Sequence, residues 1–354
     1  MKKFAFFFLL ISAAYVYLHI YISNFFSKAG YFKNYSNKLF LSLALFSILT
    51  LFLRRKLEGS LYETAYVISF IWMGYVLMLS FFISAGYLLS FLNIEFKKIF
   101  IFVIFSSAVS LFVSFYNALK IPNFKSLDYK ENGLNRNYKL VFMSDIHLDF
   151  SFKYKTFSKI LDEILKIKPD ILIIGGDLLD PGFKINEYVE KIKTLPFPVV
   201  FVFGNHEYYY GFDKSKAIAE KLRLISVKDS SFVFDRLNII GISDVKTESL
   251  TEQDVVNIVS KEYKKGFLNI LVSHQPLYFK EISDKFDLLM LSGHTHCGQI
   301  FPFHIFTKMA YPYFCGEHRN KNSFFYVSKG AGTWGPPLRF FSNSEIIVLN
   351  IAGR

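Results

Sequence analysis

In YKLVFMSDIH, residues 138–147, an apolar run over 140–143 is followed at once by Ser144, Asp145, Ile146 and His147. The run has the length and composition of a strand buried on both faces, and Asp and His are residue types that hold metals. The same figure recurs four times downstream. Residues 171–174 lead to Asp177, 199–202 to Asn205 and His206, 268–272 to His274, and 288–291 to His294 and His296. Lysine-rich amphipathic stretches over 157–167 and 215–224 alternate with the first three runs, which predicts an α/β domain with a largely buried sheet.

In open α/β sheets, functional groups collect outside the carboxyl ends of the strands. Five of the eight histidines stand at these ends. One histidine there reads more readily as a hydrogen-bonded structural residue. Five such ends make a polar cluster whose burial is costly without a cation, so the pattern predicts a metal site. Mixed imidazole and oxygen donors suit Mn²⁺, Fe, Co²⁺ or Zn²⁺ better than Ca²⁺, which prefers oxygen alone.

Taken in order, Asp145-Ile146-His147, Gly176-Asp177-Leu178-Leu179-Asp180, Gly204-Asn205-His206-Glu207, His274 and Gly293-His294-Thr295-His296 resemble the motifs of the calcineurin-like metallophosphoesterases, over about residues 138–354. The resemblance implies a four-layered α/β/β/α sandwich, two packed sheets flanked by helices. It also implies two divalent metal ions, one held by Asp145, His147 and His296, the other by Asn205, His274 and His294, with Asp177 bridging both. The activity implied is hydrolysis of a phosphodiester or diphosphate bond by a hydroxide shared between the metals. A bridging carboxylate suits that chemistry, since two dications about 3.5–4 Å apart lower the pKa of a shared water and grip the phosphoryl oxygens. His206 carries no metal in this scheme and is the implied catalytic residue, protonating the leaving oxygen or stabilising charge on the phosphoryl group.

Asp180 has two readings: it orients a histidine of the site, or it starts the next loop beside Pro181. Gly175, Gly176, Gly204 and Gly293 read as permitting the close turns that convergence requires. Residues 293–299, 326–333 and 337–341 are similar to the bacterial membrane-associated branch, the YaeI/YkuE-type phosphodiesterases. Cys297 stands where that branch more commonly has glycine. Either it adds an oxidisable group beside a ligand histidine, or it is another small residue.

Upstream, residues 4–22, 39–53, about 65–92 and 99–119 are apolar runs near the ~20 residues that cross a bilayer. They predict four transmembrane helices within residues 1–119, a linker over 120–137 and the catalytic domain over 138–354, making a multi-pass integral membrane protein. A signal peptide accounts for the first run alone, and no small-residue cleavage site follows it. No polar face recurs with a helical period, which argues against buried helices of a soluble domain. With the N-terminus inside, Lys2, Lys3, Arg54, Arg55, Lys56, Lys120, Lys125 and Lys130 lie inside, and Lys28, Lys33, Lys38, Lys97 and Lys98 outside. That majority places the catalytic domain in the cytoplasm. Cys297 and Cys315, the two cysteines, suggest no disulfide framework and fit a reducing compartment.

The formal charge of +12 comes largely from scattered lysines, with no basic block interleaved with aromatics. This predicts no nucleic-acid partner, and suits anionic membrane lipids or a phosphate-ester substrate. Phe301, Phe303, Phe306, Tyr311, Tyr313 and Phe314 follow the last metal-type residues. On one reading they admit a lipid tail, which makes the substrate lipid-linked; on the other they pack against the transmembrane bundle or the core. Two further functions stay open: a phosphodiesterase for soluble nucleotides, and a non-catalytic scaffold, which the filled ligand positions disfavour.

Overall fold

The computed structural model describes residues 2–31, 35–53, 59–149 and 151–353. It divides into two compact units.

The first unit holds four long helices, α1 (Lys2–Lys28), α2 (Ser36–Leu53), α3 (Ser60–Leu89) and α4 (Phe96–Leu119). All four are long and apolar enough to cross a membrane. At about 1.5 Å per residue, α3 is longer than a hydrocarbon core is thick, in keeping with the length of its apolar run. Large apolar side chains such as Leu45, Phe105 and Phe112 are exposed along these helices. Some inward polar groups pair across the helices: Trp72 Nε1 donates to His19 Nε2 at 2.8 Å, and Ser23 Oγ to Asn37 Oδ1 at 2.5 Å. Arg54, Arg55, Lys56 and Lys33 of the orientation count lie outside the described residues.

Two short segments from the second half of the chain, Ile300–Pro302 and Gly335–Phe340, belong to this first unit. Ile300 and Leu338 form a buried apolar cluster with Met78 of α3. The Phe301 ring packs edge-on against Phe81, with centroids 4.8 Å apart, and the Arg339 N–H donates to the Ser114 carbonyl at 2.9 Å. A division at one point in sequence misses this, because an isolated three-residue apolar stretch carries no periodic signal.

The second unit contains two six-stranded sheets. The first comprises β1 (Asn123–Glu131), β2 (Tyr138–Met143), β3 (Ile171–Gly175), β4 (Val199–Val202), β5 (Ile225–Ser226) and β12 (Glu345–Gly353), in the order β1-β12-β2-β3-β4-β5. The second comprises β6 (Ser230–Phe234), β7 (Leu237–Ile242), β8 (Leu268–Ser273), β9 (Leu289–Ser292), β10 (Gly316–Asn320) and β11 (Ser323–Val327), in the order β10-β11-β9-β8-β7-β6. The helices are α5 (Ser151–Ile167), α6 (Glu187–Glu190), α7 (Asn205–Tyr210), α8 (Phe212–Lys221), α9 (Glu252–Glu262), α10 (Phe279–Ser283) and α11 (Phe303–Ala310).

Strand alternation sorts the apolar residues into layers. Leu140, Phe142, Ile171 and Ile173 meet Ile270, Val272, Leu289 and Leu291 between the two sheets. Val141, Met143, Leu172 and Ile174 face the other way, onto Phe157, Ile160, Leu161 and Ile164 of α5. On the far side of the second sheet, Ile240, Leu271 and Met290 pack with Val255, Val256 and Val259 of α9. The result is the expected α/β/β/α sandwich. β3, β4, β7, β8 and β9 are buried along their whole lengths and β2 at every residue but Lys139, and β2-β3-β4 and β7-β8-β9 run parallel.

The stretch expected as a linker, 120–137, carries β1. Its Asn123 to Glu131 pair in parallel with Glu345 to Gly353. Only Leu127 of this edge strand is buried, so no apolar period marks it; the ladder of backbone hydrogen bonds defines it instead.

Candidate metal centre

β2, β3, β4, β8 and β9 end on one side of the sandwich, and the turns after them supply the polar cluster. The backbone is tightly bent there. Asp145, His147, Asp177, His294 and His296 all have positive φ, a conformation unfavourable for residues with a Cβ and concentrated where function over-determines it. Gly204 answers a different demand, because a Cβ on it would run into Asp177 Oδ1.

Two histidine groups form around one carboxylate. In the first, His147 Nε2 lies 3.1 Å from His296 Nε2, and His296 Nε2 lies 3.4 Å from Asp145 Oδ1. In the second, His274 Nε2 lies 3.3 Å from His294 Nδ1. Asp177 Oδ2 is 3.1 Å from His274 Nε2 and 3.8 Å from His147 Nε2, so one carboxylate faces both groups. Asp145, His147 and His296, and separately Asp177, His274 and His294, bring their donor atoms within 4.8 Å of one another.

These residues fit a pair of cations. Imidazole nitrogens face each other across about 3 Å, where two lone pairs repel unless a proton or a metal lies between them. His274 Nδ1 donates to the Gly175 carbonyl at 2.9 Å, which leaves its Nε2 directed at the centre. Asn205, the first residue of α7, is buried with an Oδ1 that has no hydrogen-bond partner.

His206 lies beside this set. Its Nε2 is 3.9 Å from Asp177 Oδ2, its backbone N–H donates to Asp177 Oδ1 at 2.9 Å, and its Nδ1 bonds Asp180 Oδ1. His206, His147 and Asp177 also bring donor atoms within 4.8 Å of one another, so geometry alone leaves His206 within ligand range. Of the two readings of Asp180, the structure carries the orienting one: it is buried, with His206 Nδ1 on one oxygen and His147 Nδ1 3.4 Å from the other.

Burial works against charge on His206, but Asp177 and Asp180 outweigh it and raise its pKa to about 9. Burial and the neighbouring His274 push His294 down to about 3, the neutral form a ligand requires. Burial also opposes ionisation of Asp177, yet His274 and His206 hold it well below the ordinary carboxylate range. Burial raises Glu207 to about 7, with the Asp177 charge adding to it.

Several residues of the site were given no place at the metal centre by the sequence. The Glu207 carboxylate accepts four backbone N–H bonds, from Gly204 (2.7 Å) and Asp177 (2.9 Å) on Oε2 and from Leu178 (2.8 Å) and Leu179 (3.0 Å) on Oε1. It ties the loops after β3 and β4 together. Lys153 is buried, donating to the carbonyls of His147 (3.0 Å) and Thr333 (3.1 Å). Tyr311 reaches His294, with Lys246 Nζ 2.8 Å from the tyrosine hydroxyl. At the rim, the rings of Tyr209 and Trp334, 58% and 52% exposed, lie 5.2 and 6.4 Å from that of His206.

Cys297 and Cys315, which suggested no disulfide framework in the sequence, form a disulfide. Eighteen residues separate them, and nothing in that spacing announces a pair. The turn after His296 and the approach to β10 bring their Cα atoms to 5.3 Å, within bridging range.

Residues 138–298 match the family model described as calcineurin-like phosphoesterase. An uncharacterized metallophosphoesterase of Campylobacter jejuni is 33% identical over 261 residues, which are 70% of this chain and 68% of that protein. One from Helicobacter pylori strain J99 is 31% identical over 67% of this chain and 66% of its own length. A transmembrane protein with metallophosphoesterase domain from Danio rerio is 30% identical over 61% of this chain and 52% of its own length. Sequence, layered fold and clustered donors therefore agree that this chain belongs to the calcineurin-like phosphoesterase family and is a metal-dependent phosphoesterase hydrolase.

Proposed function

We propose that the protein is a multi-pass membrane enzyme that hydrolyses a phosphodiester or diphosphate bond in a lipid-linked substrate, with two divalent cations from among Mn, Fe, Co and Zn. The observation that carries the two-cation reading is the position of Asp177 Oδ2, facing His274 on one side and His147 on the other. Asp145, His147 and His296 would hold one cation and Asn205, His274 and His294 the other, with the Asp177 carboxylate facing both groups. Bound there, the cations supply Lewis-acid charge to the phosphoryl oxygens and lower the pKa of water. His206 keeps its Nδ1 on Asp180, turns Nε2 toward the centre, and from there donates a proton to the leaving oxygen.

The exposed Tyr209 and Trp334 rings beside His206 and the apolar helices of the first unit support an amphiphilic substrate. The same two rings favour a second reading, a soluble nucleotide whose base stacks on them.

Two observations bear on which face of the membrane carries the catalytic domain. Lys125 and Lys130 stand within β1 of the folded second unit, so they weigh less as juxtamembrane charges. Without them the inside majority is six residues against five. The Cys297–Cys315 disulfide supports an oxidising compartment, and we place the catalytic domain on the non-cytoplasmic face.

The experiment is turnover of a panel running from small chromogenic diesters through nucleotides to lipid-linked diphosphates, by full-length protein loaded with Mn²⁺, with Asp177→Ala as control. Activity concentrated on lipid substrates and lost in the control supports the proposal. Preference for nucleotides selects the second reading, and no metal-dependent turnover of any substrate overturns both.

A further inference from the structure

Helix α11 is amphipathic the wrong way round for a water-exposed element. At 3.6 residues per turn, His304 and Thr307 fall on one side, and Ile305, Phe306 and Met309 on the opposite side. The polar pair points inward, with Thr307 buried and His304 half-buried. The outward face is the apolar one: Ile305 is 53% exposed, Phe306 58% and Met309 81%, with Phe303 at 44%. Lys308 stands at its flank, where a long basic side chain reaches headgroups.

This face is held rigidly. A Cβ at Gly298 would lie 2.5 Å from His304 Cα, so the start of α11 presses directly on the turn after His296. The Cys297–Cys315 disulfide brackets the helix, and Thr295 Oγ1 donates to the Phe314 carbonyl at 2.8 Å. Tyr311, immediately beyond α11, bonds His294. A helix fastened at both ends to the metal loop cannot turn its apolar side inward. The chain also indicates what covers that side. Pro302, the residue before α11, belongs to the unit of four apolar helices, where its neighbour Phe301 packs on Phe81 of α3.

We propose that the outward face of α11 lies in the lipid bilayer at the boundary between headgroups and acyl chains. It is a membrane contact additional to α1–α4, and it holds the loop of His294 and His296 at headgroup level. The proposal rests on the membrane reading of the four helices and deepens the lipid-substrate reading, because phosphate esters of lipids are presented at that depth.

The test uses full-length protein in phosphatidylcholine–phosphatidylglycerol vesicles, with Met309→Cys carrying a bimane fluorophore. The two native cysteines are joined, so the introduced thiol is the one that labels. Ile305→Cys repeats the measurement at a second position, and Lys261→Cys on exposed α9 is the aqueous reference. The expected result is at least threefold stronger quenching of labels 305 and 309 by doxyl-labelled lipid than of label 261, with iodide quenching reduced by a similar factor. Iodide quenching equal to that of label 261, without lipid quenching, overturns the proposal. The two readings fail separately. Lipid-buried labels on an enzyme that cleaves only soluble diesters leave this proposal standing and sink the lipid substrate; iodide-exposed labels on an enzyme that cleaves lipid diphosphates do the reverse.

Discussion

The Tyr311 hydroxyl sits 2.5 Å from His294 Nε2, while His294 Nδ1 lies 3.3 Å from His274 Nε2. One nitrogen of the ring is therefore held from outside while the other faces the centre. With Nδ1 directed at a cation, Nε2 carries the proton and donates to the tyrosine oxygen, which also accepts from Lys246 Nζ at 2.8 Å. An outer partner of this kind fixes the tautomer and the angle of a ligand ring.

Tyr311→Phe should lower affinity for the second cation by about tenfold or more, the usual effect of removing an outer partner of a ligand histidine. Metal titration followed by calorimetry measures it directly. Lys246→Met should produce a smaller loss of the same kind. Unchanged stoichiometry and affinity in Tyr311→Phe would show that the tyrosine has no hold on the site.

His206→Ala should keep both cations and lose roughly 10²- to 10⁴-fold in turnover, the range of a general acid. Equal loss of metal would instead place His206 among the ligands. The pH profile distinguishes further. Burial opposes the His206 charge, but Asp177 and Asp180 outweigh it and raise the pKa. Cations on Asp177 would offset its share, so in the loaded enzyme the Asp180 carboxylate on Nδ1 holds the proton, which is lost as pH rises. Activity should fall along that alkaline limb. Asp180→Asn removes one of the two raising charges, so the limb should move to lower pH; an unmoved limb assigns it to another group.

Glu207→Gln should destabilise the second unit by about 2 kcal/mol or more, because an amide nitrogen cannot accept and two backbone donors lose their partner. The four bonds concerned join Gly204, Asp177, Leu178 and Leu179 to the one carboxylate. Thermal unfolding of the metal-free protein reads this out, and metal affinity should fall with it, since Asp177 is among the residues released.

Cys315→Ser opens a loop whose ends lie 18 residues apart and should cost about 3 kcal/mol of stability. In the native protein a maleimide should find no thiol until a reductant is added. Immediate labelling of protein taken from cells would show a reduced pair and return the catalytic domain to the cytoplasmic side. A periplasmic phosphatase reporter fused at the C-terminus gives the same answer independently.

The buried strands and the amphipathic helices between them were legible because each is a local pattern, a short apolar run or a helical period, and the layered fold they build follows the resemblance. The seven proposed donors were legible for a related reason. Each stands within a few residues of the end of such a run, so the sequence carries both the residue type and its place in the sheet. β1 escaped because its residues are mostly exposed and its order comes from the ladder with β12, some 220 residues later. Glu207 stood in a quoted motif without a role, since its four partners are backbone groups that every residue possesses.

What the sequence determined by itself is local: four apolar stretches of membrane-crossing length, buried strands followed by Asp, His and Asn, and through them the family. What the tertiary structure decided is pairing at a distance. It joined Cys297 to Cys315, set Tyr311 and Lys246 behind His294, bound Asp180 to His206, and turned Ile305, Phe306 and Met309 outward on α11. The physical reason is the range of the signal. Periodicity and strand ends are written within a few residues, whereas a disulfide, an outer hydrogen bond or the facing of a short helix depends on which distant surfaces the packed sheets bring together.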